Sequence, residues 1–345
     1  MKNNPFELTF GLKPDNYISR LKQSEEVISS FEEGNQHVFM ITGVRGTGKT
    51  VLLSYVSEYF EKKEDWLVVQ LISECDMLDQ LASRLYDTSL FHKIFDGKTF
   101  GFSFAGLSFS ISGEKPVTNV ISLIEILLTK IQKSGKKVLI CVDEALNNAY
   151  MKPFVQTIQL LLRNKFDINL LMTGLYQNIY ELQNNQSLTF LYRAPKISLE
   201  PLNIPAIASS YQAIFEIDKN TSMGLANLTK GYAYAYQVLG YLLFEKGSAV
   251  VDDSLLAKFD QYLQEYVYDK IWMELGEKDK TILLSFDSDE NVTTKHLLEE
   301  TSFDIKVYSV YRDRLIKRGI IYSPSRGLLS LKLPRFFEYI QTKKY

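Results

Sequence analysis

The residues best suited to chemistry lie in the run Gly43, Val44, Arg45, Gly46, Thr47, Gly48, Lys49 and Thr50, which continues into Val51. Two glycines with four residues between them, followed by Lys and Thr, let a backbone curl so that successive N–H groups face phosphate oxygens, and the helix that follows adds its positive end. In that geometry Lys49 reaches the β- and γ-phosphates and the Thr50 hydroxyl ligates magnesium. A glycine-rich turn that holds nothing is the alternative, and the strand-like run before the loop and the helical spacing after it argue against that. A second pair, Asp143-Glu144, closes the apolar run 138–142. A parallel sheet delivers catalytic groups at this edge. Asp143 would hold magnesium through water, and Glu144 would orient or deprotonate an attacking water. On its own such a pair is more often a helix start; it gains meaning from the loop upstream.

The elements that must carry these groups are legible as alternating patterns. An amphipathic helix is expected over 18–31, with an aromatic opening segment before it that would frame a base. Strands are expected at 38–41, 66–72, 138–142, 168–172 and 196–199, and helices after the loop and over 77–86 and 120–134. Strands alternating with helices imply an α/β fold: an αβα core whose mainly parallel sheet is covered on both faces. Thr173 ends the fourth of these strands, where a simple turn is the alternative role, and Arg193 precedes the fifth, where it could equally be a surface arginine.

Residues 98–115 interrupt this order with Phe100, Phe102, Phe104, Leu107, Phe109 and Ile111 alternating with small residues, the pattern of a hairpin with one apolar face. It would serve as a wedge or partner-docking ribbon, or fold flat against its own domain. Residues 201–270 read as four helices, a small lid, whose tyrosines Tyr232, Tyr234, Tyr236 and Tyr241 suggest packing. The C-terminal part reads as three helices (279–286, a second capped by Thr293-Thr294, and 305–318 stopped by Gly319) and a hairpin, the order of a winged helix-turn-helix. Basic residues collect there: Lys306, Arg312, Arg314, Lys317, Arg318 and Arg326 are the expected DNA contacts, with a protein-docking surface as the alternative. The expected domains are therefore a core over 1–200 with the hairpin near 98–115, a lid over 201–272 and a winged helix over 273–345.

Composition sets limits on these readings. A chain of 345 residues with 46% hydrophobic content exceeds one ordinary core. A formal charge of −2 means that a nucleic acid would have to be met by a local patch. Two cysteines, Cys75 and Cys141, and three histidines make neither a disulfide framework nor a metal-ligand spacing. With no signal peptide and no apolar run of membrane-spanning length, a cytoplasmic protein with no membrane partner is expected.

With Gly43 to Thr50 as a Walker A motif, Asp143-Glu144 as Walker B, and "NPFELTFG" and "LTFLYRA" beside them, the chain resembles AAA+ and STAND-type P-loop ATPases. The closer resemblance is to bacterial ATP-binding proteins related to the archaeal and eukaryotic origin-recognition ATPases. The resemblance implies ATP and Mg2+ as ligands, ADP as product, a nucleotide-controlled switch, and assembly as a homo-oligomer or with a protein partner; with the basic winged helix, the expected target of the switch is duplex DNA. It also implies catalytic roles for Lys49 and Glu144, a sensor role for Thr173 beside the Walker B acid, and an arginine finger in Arg193. A STAND-like signalling or defence ATPase docking a protein is the other function it allows. One departure is plain: "KGYAYAYQVLGY" has no second sensor arginine where many relatives carry one, which leaves Lys230 as the substitute cation.

Overall fold

A computed structural model describes residues 3–9, 14, 16–87, 103–104, 107–108 and 119–344. The chain packs as two compact units, one formed by Leu21–Thr42 and Leu52–Ile197, the other by Met1–Arg20, Gly43–Val51 and Ser198–Tyr345.

The first unit contains the expected α/β core. Its sheet is built from β1 (Val38–Thr42), β2 (Trp66–Ile72), β5 (Lys137–Asp143), β6 (Ile168–Gly174) and β7 (Lys196–Ser198), in the order β2-β5-β6-β1-β7. The β2·β5, β5·β6 and β1·β6 pairings are all parallel. β1 and β6 are buried at every position, as largely apolar strands in a sheet covered on both faces should be. The helices are α1 (Leu21–Glu33), α2 (Lys49–Glu61), α3 (Met77–Tyr86), α4 (Val120–Lys133), α5 (Met151–Arg163) and α6 (Tyr176–Gln183). Leu81, Leu85, Ile124, Leu128, Phe154 and Ile158 from these helices join Ile140, Leu170 and Met172 of the sheet in one apolar cluster. The register sets Ile41 against Thr173 and Thr42 against Gly174, so the glycine-rich loop starts one residue beyond the paired end of β1. Of the expected hairpin, the described residues are the antiparallel pair β3 (Ser103–Phe104) and β4 (Leu107–Ser108); the rest of 98–115 lies outside the described residues.

The second unit has its own apolar cluster, running from Phe6 through Tyr211, Tyr236 and Tyr268 to Ile340. Its helical segment comprises α7 (Ile204–Phe215), α8 (Lys219–Leu228), α9 (Ala233–Lys246) and α10 (Asp253–Leu263), then a π-helical turn Gln264–Tyr268 and α11 (Asp269–Met273). The last of the four expected helices is thus α-helical only to Leu263 and continues as the π-helical turn. Asn203, Asp218 and Asp252 cap their helices by accepting backbone N–H groups. The chain ends with α12 (Glu277–Leu284), β8 (Val292–Thr293), α13 (Thr294–Thr301), α14 (Ile305–Lys317), β9 (Ile321–Tyr322), β10 (Leu328–Leu331) and α15 (Phe336–Gln341). β8, β10 and β9 form an antiparallel sheet in that order. Thr293 caps α13 through the His296 N–H, and Gly319 stops α14 at φ +74°. Both features are readable from residue type.

Candidate nucleotide site

The loop after β1 has the backbone a phosphate cradle needs. Gly46 and Gly48 adopt φ +73° and +88°, where a side chain would be strained. A Cβ on Gly46 would also lie 2.9 Å from Cζ of Tyr232. Helix α2 opens on Lys49 and Thr50 with no acid in its first turn, so nothing on the helix opposes an anion at its positive end. Lys49 is 9% exposed, and its ammonium donates to the carbonyls of Gly43 and Val44, both at 3.0 Å.

The carbonyl side of the loop is held by distant residues. The Tyr232 hydroxyl donates to the Arg45 carbonyl, and the Tyr234 N–H donates to the Gly46 carbonyl at 3.0 Å. Arg20 donates to the Thr47 carbonyl at 3.0 Å and to the Glu200 carbonyl at 2.7 Å. Burial pushes the Arg20 guanidinium down to about 10, against the pull of Glu200, so it stays charged at neutral pH. Burial likewise raises the Tyr232 hydroxyl well above its usual range and keeps it a neutral donor. The Arg45 side chain reaches Glu274 at 2.9 Å. Apart from the Thr47 N–H, which lies 3.4 Å from the Val44 carbonyl, a loop fixed through its carbonyls offers its N–H groups to an anion, and with Lys49 and Thr50 this donor set fits a nucleotide with magnesium.

In the other unit the ends of β5 and β6 bring Asp143, Glu144 and Thr173 together. The Thr173 hydroxyl donates to Asp143 Oδ1. The Glu144 N–H lies 3.1 Å from that oxygen and 3.2 Å from the threonine hydroxyl. Thr173 is fully buried, whereas Glu144 is exposed and held at φ +50°. A left-handed glutamate costs on the order of 1 kcal/mol. Three further contacts hold it: Ser73 Oγ donates to the Glu144 carbonyl at 2.7 Å, Asn148 donates to the Ser73 carbonyl at 2.7 Å, and the Ala145 N–H donates to the Thr173 carbonyl at 2.7 Å. Ser73 directly follows β2, which is its one sequence signal, and Asn148, in the segment between β5 and α5, has none. Arg193 is exposed at the end of the 3-10 turn Thr189–Arg193.

The six expected DNA contacts divide into two sets. Lys306 and Lys317 are exposed on α14, and Arg326 is exposed between β9 and β10. Arg312 pairs with its neighbour Asp313 at 2.7 Å. Arg314 and Arg318 turn to the acids of the preceding segment: Arg314 Nε donates to the fully buried Asp279 at 3.0 Å, and Arg318 donates to the Glu274 carbonyl at 3.3 Å. Lys230, the expected substitute sensor, is bound to Asp289 and to the Leu331 carbonyl. Among the described residues no cluster of His, Cys, Asp and Glu is arranged to hold a metal, and no helix is long and apolar enough to cross a membrane.

The family described as a domain of unknown function (DUF8462) matches residues 265–340. No curated protein matches the chain. Among solved structures it is similar to the Walker-type ATPase of Pyrococcus abyssi, with a TM-score of 0.65 at 12% identity over 95% of this chain and 96% of that one. It is similar to the ORC2 protein of Aeropyrum pernix in ADPNP–ADP complexes, with a TM-score of 0.59 at 14% identity, covering 95% of this chain and 96% of that one. Cdc6p from Pyrobaculum aerophilum aligns with a TM-score of 0.50 at 15% identity over 97% and 96% of the two chains. Likeness at such identity speaks to fold, and it agrees with the parallel sheet and the loop that follows β1: the chain has the P-loop ATPase fold of these archaeal Walker-type and origin-recognition-type proteins.

Proposed function

We propose that the chain is an ATP-binding and ATP-hydrolysing switch whose nucleotide state sets the behaviour of its C-terminal segment. The observation that carries this reading is the tethering of the loop: Tyr232 and Tyr234 hold two of its carbonyls, and Glu274 holds its arginine. A loop held in this way cannot rearrange around phosphate without disturbing the residues that hold it, and a ligand shifts an equilibrium only through such differential contacts. Lys49 and the loop N–H groups would bind the phosphates, and Thr50 and Asp143 would hold Mg2+, which supplies charge neutralisation at the phosphates. Glu144 would position water and Thr173 would hold Asp143 in place. Arg193, being exposed, is suited to act on a neighbouring copy.

Glu144→Gln is expected to retain ATP binding and to lower turnover by about 10²- to 10⁴-fold, the usual contribution of a general base. Normal phosphate release from this variant would remove Glu144 from the catalytic role.

The output of the switch in this reading is duplex DNA, met by the C-terminal segment acting as a winged helix. The order of α12, β8, α13, α14, β9 and β10 supports that reading, with Lys306, Lys317 and Arg326 as the phosphate contacts. Anisotropy of labelled duplex with ATP and magnesium, with ADP and without nucleotide, at two salt concentrations, tests it. Each of the three changed to Ala should reduce the salt slope by about 0.9. A protein partner is the second reading, favoured by Ile305 and Val310 standing 62% and 64% exposed on the same helix. Salt-independent, nucleotide-independent anisotropy would leave that reading in place of DNA.

A further inference from the structure

We infer that Glu274 is the coupling residue between the nucleotide loop and α14. The inference rests on the reading that Gly43–Val51 binds nucleotide. Glu274 caps the C-terminus of α11, and its carboxylate stands between two arginines. Oε1 takes Arg45 of the loop at 2.9 Å, and Oε2 lies 3.8 Å from Arg318, the residue that caps the C-terminus of α14. Arg318 also donates twice to the Glu274 carbonyl at 3.3 Å and lies 3.9 Å from Asp279, which holds Arg314. A second contact runs beside the first: a Cβ on Gly319 would meet Val44 Cγ2 at 3.1 Å, so the end of α14 also abuts the loop sterically.

The charges decide the direction of the effect. One carboxylate serving two guanidinium groups is shared between them, and a polyphosphate at the loop adds negative charge beside Arg45. Arg45 then has a stronger partner than Glu274, and the glutamate is left to Arg318. Arg318 is only 14% exposed on its side chain, and burial lowers its pKa while Asp279 and Glu274 raise it, so its environment responds to where that carboxylate points. Phosphate binding thus alters the acid partners of the α14 terminus. By linkage, whatever binds α14 in one of these states changes nucleotide affinity by the same factor.

The test combines a titration with a fluorescent ATP analogue and hydrogen exchange of 305–318, with and without Mg-ATP, on the full chain. In the parent protein nucleotide should change exchange in this segment. Glu274→Gln keeps the shape of the side chain and removes its charge; it should still bind the analogue, with affinity altered by about two- to fivefold, the scale of a partly exposed ion pair. Its exchange response to nucleotide should be lost. Glu277→Gln, which removes a 90% exposed carboxylate paired with Lys280, should keep the response. A response that persists in Glu274→Gln, or a parent protein that binds nucleotide without any response in 305–318, overturns the coupling role. A parent protein that does not bind the analogue at all defeats the loop reading itself, a different result that takes this inference with it.

Discussion

Lys49→Ala is expected to lower affinity for Mg-ATP by about 10- to 100-fold, because one hydrogen bond to a charged group contributes about 1.5–3 kcal/mol. Lys49 is buried at the start of α2, and its ammonium bridges the Gly43 and Val44 carbonyls. Removing it withdraws a donor from two carbonyls, but Thr47 Oγ still donates to Val44 at 2.8 Å, and carbonyls tolerate an unfilled lone pair better than buried N–H groups do. The unfolding midpoint should therefore change little while nucleotide affinity falls. Fluorescence titration and a thermal melt on the same sample separate the two effects. Unchanged affinity would remove Lys49 from phosphate binding; a large drop in midpoint with unchanged affinity would make it a brace for the loop alone.

The loop and its setting were legible because local residue types determine them. Gly46 and Gly48 are glycines at the φ values that demand it, the run before them is a buried strand, and the spacing after them is a helix. The C-terminal order of elements was legible for the same reason, through the cap at Thr293 and the stop at Gly319. What holds the loop was not legible. Tyr232 read as packing, yet its hydroxyl serves a carbonyl 187 residues away, and Glu274 meets an arginine 229 residues away. No period or spacing encodes such pairings; they exist only once separate segments share a core. The basic C-terminal run divides for a related reason. Counting charges treats each as solvent-facing, but Arg314, Arg318, Lys332, Arg335 and Lys343 are committed to Asp279, Glu274, Glu200, Asp260 and Asp269. On α14 the outward positions Lys306, Val310, Asp313 and Lys317 follow one helical stripe in which only two members are basic.

Arg314→Ala should accordingly act first on folding, with a loss of about 3–5 kcal/mol, the range for breaking a buried pair by removing one partner. Asp279 is fully buried at the start of α12, where it accepts the Gly276 N–H at 3.2 Å and takes Arg314 through both carboxylate oxygens. The guanidinium also lies 4.5 Å from the centre of the Tyr311 ring. Without it, among the described residues, the carboxylate keeps Arg318, at 3.9 Å, as its nearby cation. The thermal transition of the C-terminal segment should fall by on the order of 10 °C. Any loss of DNA binding should then follow unfolding, while Lys306→Ala with Lys317→Ala should weaken DNA binding with the melt unmoved. Pairing Asp279→Asn with Arg314→Gln removes both charges and keeps an acceptor for the Gly276 N–H; most of the lost stability should return, because the cost lies in the stranded charge. The opposite pattern, an unmoved melt with a shallower salt slope in Arg314→Ala, would make this arginine a phosphate contact and its ion pair with Asp279 incidental.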